Sequence, residues 1–77
     1  MAWTEENNKL IKTFWFDSFE QAIEFINQVA SLARKADHHP VIENSYTKVK
    51  LSLCTHSSNN TITEKDHELS RGIDGLM

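Results

Sequence analysis

Between Lys9 and Phe16 the chain alternates. Leu10, Phe14 and Phe16 fall on one parity with Lys12 among them, and Ile11, Thr13 and Trp15 fall on the other. Alternation of aromatic and β-branched residues predicts a strand with one face buried. Ahead of it, Ala2-Trp3-Thr4-Glu5 predicts a very short strand. Glu6-Asn7-Asn8 supplies turn chemistry, since Asn tolerates positive φ, so the two segments pair as a hairpin.

The period then lengthens from two residues to that of a helix. Asp17-Ser18 opens it, and either Asp17 with Glu20 or Ser18 with Gln21 has capping-box spacing. From Phe19 to Ala36, the residues Phe19, Ile23, Ile26, Ala30 and Ala33 make one apolar stripe, and Phe25, Val29, Leu32 and Ala36 make a second beside it. Together they cover about half the helix circumference, wider than the roughly 100° stripe that covers a sheet. The surplus predicts a second partner, and a chain this short points to another subunit.

Two further strands are predicted, Val41 to Ser45 and Thr47 to Thr55, with Asn44-Ser45 as turn chemistry near their connection. In the second, Val49, Leu51 and Leu53 alternate with Lys48, Lys50 and Ser52, which puts Cys54 on the wetter face. Residues 56–60 read as polar loop. Thr63 caps a second helix with Asp66 at the third helical position, and Ile62, Leu69, Ile73 and Leu76 form its apolar stripe, with Gly75 as its stop. The order ββαββα predicts an α+β fold: a four-stranded antiparallel sheet with both helices packed on one face. No repeat or linker divides residues 1–77, which read as a single domain.

Composition narrows the classes of function. Seventy-seven residues, 39% hydrophobic and 25% charged, make one small globular domain, near the size where a single core is barely sufficient. The net charge is −3, and no basic cluster exceeds Arg34-Lys35, so the footprint for direct nucleic-acid binding is missing. No apolar run approaches the ~20 residues of a membrane span, and no signal peptide is visible at the N-terminus. The single cysteine, Cys54, cannot form an internal disulfide, so the expected compartment is the cytoplasm.

The chemistry concentrates around Asp37-His38-His39-Pro40. Imidazole exchanges protons near neutral pH, and proline disfavours helix at the residue before it. The first helix should therefore end near Asp37 or His38, leaving two imidazoles at its exit. For a lone histidine there, interaction with the last helical carbonyls would be explanation enough. Here His56 follows at the end of the last strand, and Asp66 shares a helix face with Leu69 and Ile73, toward the sheet. His67, about 100° further round, points to solvent. Three histidines and one aspartate at element ends can form a cluster. Neighbouring histidines diverge in extended chain, and no His-x₃-His or cysteine pair supports them, so neither a metal nor another cofactor is expected.

The spacing His38-His39-Pro40, then Tyr46, His56 and Asp66, resembles that of the pterin-4a-carbinolamine dehydratases. Phe14-Trp15-Phe16-Asp17-Ser18-Phe19-Glu20 also resembles that family's entry from strand to helix, and the likeness covers nearly the whole chain. Two departures stand out: many members have an N-terminal helix not seen here, and Arg34 stands four before His38, where Glu is common. The resemblance implies a hydro-lyase, 4a-hydroxytetrahydrobiopterin dehydratase, acting in tetrahydrobiopterin recycling. It implies His38 and His56 as the acid/base pair, Asp66 orienting His56, and His39, Pro40 and Tyr46 binding a small-molecule pterin. It also implies a homodimer or homotetramer. The alternative it carries is an interaction module without turnover, a pterin binder or a dimerisation cofactor of the kind mammalian members provide to a homeodomain transcription factor.

Overall fold

A computed structural model describes residues 2–77. Strand β1 (Thr4–Glu6) and strand β2 (Lys9–Trp15) form the expected hairpin. Glu6 faces Lys9 across a two-residue loop in which Asn7 and Asn8 have φ of 51° and 63°. Positive φ at both central positions matches the right-handed twist of the strands, which is why an Asn-Asn pair serves here. Helix α1 (Phe19–Ala36) follows, then strand β3 (Val41–Ser45), strand β4 (Lys48–Leu53), a 3-10 turn over His56–Ser58, and helix α2 (Glu64–Asp74). All pairings are antiparallel in the order β1-β2-β4-β3, so β2 and β4 are central.

The core lies between this sheet and the two helices. Cross-strand partners Leu10 with Leu53 and Phe14 with Val49 face Ala22, Phe25 and Val29 of α1 and Leu69 and Ile73 of α2. Phe25 sits 4.7 Å from Phe14 and 5.0 Å from Phe16 between ring centroids, spacings at which aromatic pairs gain beyond their area. Lys12, on the core parity, resolves its mismatch at the end of α2. Its Nζ lies 2.9 Å from Asp74 Oδ1, and the same carboxylate accepts from Trp3 Nε1 at 3.1 Å. The N-terminal segment is thereby tied to α2.

The structure corrects several boundaries. Strand β1 begins two residues later than expected and ends one later, because residues 7 and 8 alone make the turn. Strand β3 has the expected bounds, and the β3–β4 connection is Tyr46-Thr47, one residue longer than expected, with Asn44 beside it supplying turn chemistry. Tyr46 takes φ of 54°, and Asn44 Nδ2 donates to the carbonyls of Tyr46 and Lys48 at 3.3 and 3.0 Å. Strand β4 stops at Leu53, and the loop after it contains the 3-10 turn, closed by a Thr55–Thr61 bridge. Cys54 is buried rather than on a wet face. Ser52, of the same parity and likewise buried, lies between Ile11 and Val41 in the adjacent strands. His67 is half-buried rather than free in solvent. Gly75 is the stop of α2 as expected, with right-handed dihedrals.

On α1, Ala22, Phe25, Val29 and Ala33 are buried, a line that draws on both stripes, while Ala36 of the second is exposed. Phe19 remains 42% exposed, and Ile23 and Ala30 are half-buried. Among the described residues, no helix is long and apolar enough to cross a membrane.

Candidate functional site

One end of the sheet gathers the chemistry. Helix α1 is capped at its start by Ser18, whose Oγ accepts from the Gln21 amide at 3.2 Å; of the two predicted boxes, the Ser18 pair forms this contact. It ends at Asp37, which adopts the left-handed conformation with φ 50° and ψ 44°. Asp is among the few non-glycine residues that tolerate this region. The His38 amide then bonds back to the Ala33 carbonyl at 3.1 Å, the 6→1 closure of a helix terminus. This reversal sends the His38 side chain inward, leaving it 11% exposed, while His39 points outward. Pro40, half-buried, straightens the chain into β3. Val41 pairs with Ser52, so the exit of α1 lies beside the end of β4, where Thr55 and His56 emerge.

Asp66 enters from α2. It is completely buried, and its partner is His38, whose Nε2 lies 2.5 Å from Asp66 Oδ1. This corrects the expectation that Asp66 orients His56. The other carboxylate oxygen, Oδ2, accepts from the Thr63 amide at 2.9 Å and from Thr55 Oγ1 at 2.8 Å. Burial is the largest single influence on this carboxyl and opposes its ionisation. The bonds from His38, the Thr63 amide and the Thr55 hydroxyl, with attraction to His38, outweigh it together and hold the carboxyl below the usual range. It is therefore an anion at neutral pH. An ionised carboxylate accepts only, so His38 Nε2 carries the proton and Nδ1 is the nitrogen left over.

His56 has a separate partner. Its Nδ1 lies 2.6 Å from Asn60 Oδ1 inside the loop, where Asn59 and Asn60 take positive φ. An amide oxygen also accepts only, so His56 Nδ1 is the donor and Nε2 is free. Asp37, His38, His39, Thr55, His56, Ser57 and Lys65 line a cavity of about 220 Å³. A second hollow of about 490 Å³ adjoins it, sharing His38 and Lys65 and floored by Leu32, Ala36, Leu69 and Gly72.

Thus His38, His39, His56 and Asp66 come together, with Asp66 behind His38. Tyr46 does not join them. It sits at the far end of β3, and five residues at about 3.3 Å each separate it from the cluster. Its ring stacks on Phe19 at 6.5 Å, with 11° between planes. Arg34 is exposed on α1 and does not line the cavity. Sequence reasoning missed Thr55 and Lys65. Thr55 immediately precedes His56, a place where a residue of that element end could have been weighed. Among the described residues, no three His, Cys, Asp or Glu side chains converge as a metal-binding set.

A family model described as Pterin 4 alpha carbinolamine dehydratase matches residues 1–76. The chain belongs to that family. Relatives from Chloroflexus aurantiacus and Sulfolobus acidocaldarius, both provisionally named pterin-4-alpha-carbinolamine dehydratases, are each 44% identical. The first is matched over 97% of this chain and 80% of its own length, the second over 99% and 82%. Among solved structures, a transcriptional coactivator/pterin dehydratase from Brucella melitensis superposes with a TM-score of 0.90 at 34% identity, over 97% of this chain and 81% of that one. A pterin dehydratase-like protein described as a RuBisCO assembly factor in the alpha-carboxysome superposes with a TM-score of 0.84 at 25% identity, over 99% and 89%. The α+β architecture read from the sequence is therefore that of the family.

Proposed function

We propose that this protein dehydrates a 4a-hydroxytetrahydropterin to the quinonoid dihydropterin, with His38 and His56 as the proton-transferring pair. The observation that carries the reading is the pair of histidines on one small cavity, each with one ring nitrogen bonded to an acceptor and the other free. In the reaction the C4a–O bond breaks, the leaving hydroxyl takes a proton and departs as water, N5 gives up its proton, and C4a=N5 forms. One acid and one base complete that balance without a metal or other cofactor, and imidazoles serve both roles near neutral pH. A proton taken up at His38 Nδ1 makes an imidazolium paired with the Asp66 carboxylate, which favours His38 as the base. His56 is then the acid in its imidazolium form, with Nδ1–H held by Asn60 and the Nε2 proton given to the leaving hydroxyl. His39, outward on the same cavity, is suited to bind and orient the pterin. Pro40 sets the direction of the chain beyond it. The position of Tyr46 supports a role in packing the β3–β4 turn; contact with pterin would need a second copy.

Tetrahydrobiopterin recycling is the metabolic setting we assign, in the cytoplasm, where a free buried thiol such as Cys54 is at home. We also assign self-association into a dimer or tetramer, since Phe19, Ile23 and Ala30 leave an apolar strip on α1. The structural neighbour described as a RuBisCO assembly factor makes a binding module the rival reading. Two histidines on one cavity, each with a ring nitrogen turned away from its acceptor, favour turnover over that reading. The test is the rate of quinonoid dihydropterin formation from the 4a-carbinolamine, with and without the protein. His38→Ala and His56→Ala should each lower kcat about 10²–10⁴-fold. The double variant should be little worse than the poorer single, because both act on one elimination. A double variant with the wild-type rate ends the reading.

A further inference from the structure

Asp66 is gripped by more donors than helix capping requires. The Thr63 amide on Oδ2 already satisfies the first turn of α2. Thr55 adds a hydroxyl to the same oxygen, although it belongs to a different element and is itself 3% exposed. Its direction can be worked out. A hydroxyl has one proton, and the Asp66 carboxylate can only accept, so the Thr55 proton lies on the 2.8 Å bond to Oδ2. The 2.6 Å contact between Thr55 Oγ1 and Thr63 Oγ1 must then be Thr63 donating to Thr55. The donors run one way, from Thr63 to Thr55 to Asp66, and meet the His38 N–H arriving from the other side.

The backbone of Thr55 is fixed as well. Its amide donates to the Thr61 carbonyl at 2.8 Å, and its carbonyl accepts from Ser58 at 3.1 Å, closing the turn that carries His56. One residue therefore touches both halves of the site, His56 through the main chain and His38 through the carboxylate. With two donors on Oδ2, rotation of the carboxylate would break both, so Oδ1 stays with His38.

We propose that Thr55 is a positioning residue of this site: its hydroxyl on Asp66 Oδ2 locks the carboxylate so that Oδ1 holds His38 in the Nε2–H tautomer, with Nδ1 free for proton transfer. Its kinetic consequence rests on the acid/base reading above; its structural consequence does not.

The test uses Thr55→Val, which keeps the shape and removes the donor, and Thr55→Ser, which restores the donor, both in the full chain. Imidazole spectra at neutral pH should show His38 protonated at Nε2 throughout, since the carboxylate only accepts, with the Nε2–H proton far downfield in the wild type and in Thr55→Ser and shifted upfield in Thr55→Val as the carboxylate loosens. A hydrogen bond to a charged group supports a loss in kcat of roughly 10–100-fold for Thr55→Val. KM should stay within about twofold, because ground-state binding is untouched, and Thr55→Ser should recover most of the rate. A folded Thr55→Val with the wild-type Nε2–H shift overturns the proposal, and so does a Thr55→Ser as impaired as Thr55→Val. Should Thr55→Val not fold, Thr55→Cys, similar in size and a weak donor, is read by the same spectra. If the wild type turns over no carbinolamine, the acid/base reading falls, and the Nε2–H shifts alone decide the place of Thr55.

Discussion

Replacing Asp66 by Asn keeps the size of the side chain and changes one oxygen into a donor. Oδ2 accepts two bonds and Oδ1 one, so the two orientations of the new amide differ in what they lose. With its oxygen at the Oδ2 position, the amide still serves the Thr63 N–H and the Thr55 hydroxyl. Its NH₂ then faces His38 Nε2, which must become an acceptor and move its proton to Nδ1. The opposite orientation leaves the buried Thr63 N–H facing an NH₂, at about 1–3 kcal/mol, while the Thr55 hydroxyl turns to accept, so the first prevails. His38 then has its proton on the nitrogen that should receive one, and kcat should fall about 10²–10⁴-fold, the whole of one acid/base contribution. Loss of the charge-assisted bond should cost roughly 1–3 kcal/mol in stability. For 77 residues the total is about 4–12 kcal/mol at ~0.05–0.15 per residue, so the variant remains folded. Its melting temperature should drop by about 4–8 °C per kcal/mol lost. Stopped-flow absorbance of quinonoid dihydropterin reads the rate, and imidazole ¹⁵N shifts read the tautomer. A folded Asp66→Asn with wild-type kcat, or with His38 still protonated at Nε2, refutes the reasoning.

Acid sensitivity follows from the same carboxylate. Its folded pKa lies below the unfolded value of about 3.9, so its contribution is present above about pH 4 and is lost as pH falls through the folded value. The stability gap between wild type and Asp66→Asn, from urea midpoints, should therefore shrink below about pH 4; an unchanged gap at pH ~3 speaks against it. His39→Ala should raise KM more than it lowers kcat, since the binding it removes is shared by ground and transition states; a pure kcat defect would move His39 into the proton-transferring set. Light scattering should give a dimer or tetramer for the wild type, and Ile23→Glu on the uncovered strip of α1 should release folded monomer, as circular dichroism would verify. A wild-type monomer at micromolar concentration would remove self-association from the proposal. Phe25 is no substitute for Ile23 in that test, because it is a core residue and its replacement by a charge would measure folding.

Elements were legible wherever local physics settles them. The alternation of Lys9–Trp15, the caps at Ser18 and Thr63, and the proline that bars helix at His39 act within a few residues, so sequence alone located the strands, both helices and the exit of α1. The Asn7-Asn8 turn was readable for the same reason. The identity of the cluster was readable too, because residues at the ends of neighbouring elements come together in a hairpin-rich fold. Pairing within the cluster was not. Asp66 joins His38 rather than His56 because Asp37 enters the left-handed region and turns His38 inward, while the 3-10 turn points His56 at Asn60. Sequence distance also misplaced Tyr46, six residues from Pro40 yet separated from the cluster by the length of β3. Burial of Cys54 and the donors on Asp66 Oδ2 depend on which side chains share a space, and that is decided by packing across strands and helices far apart in the chain.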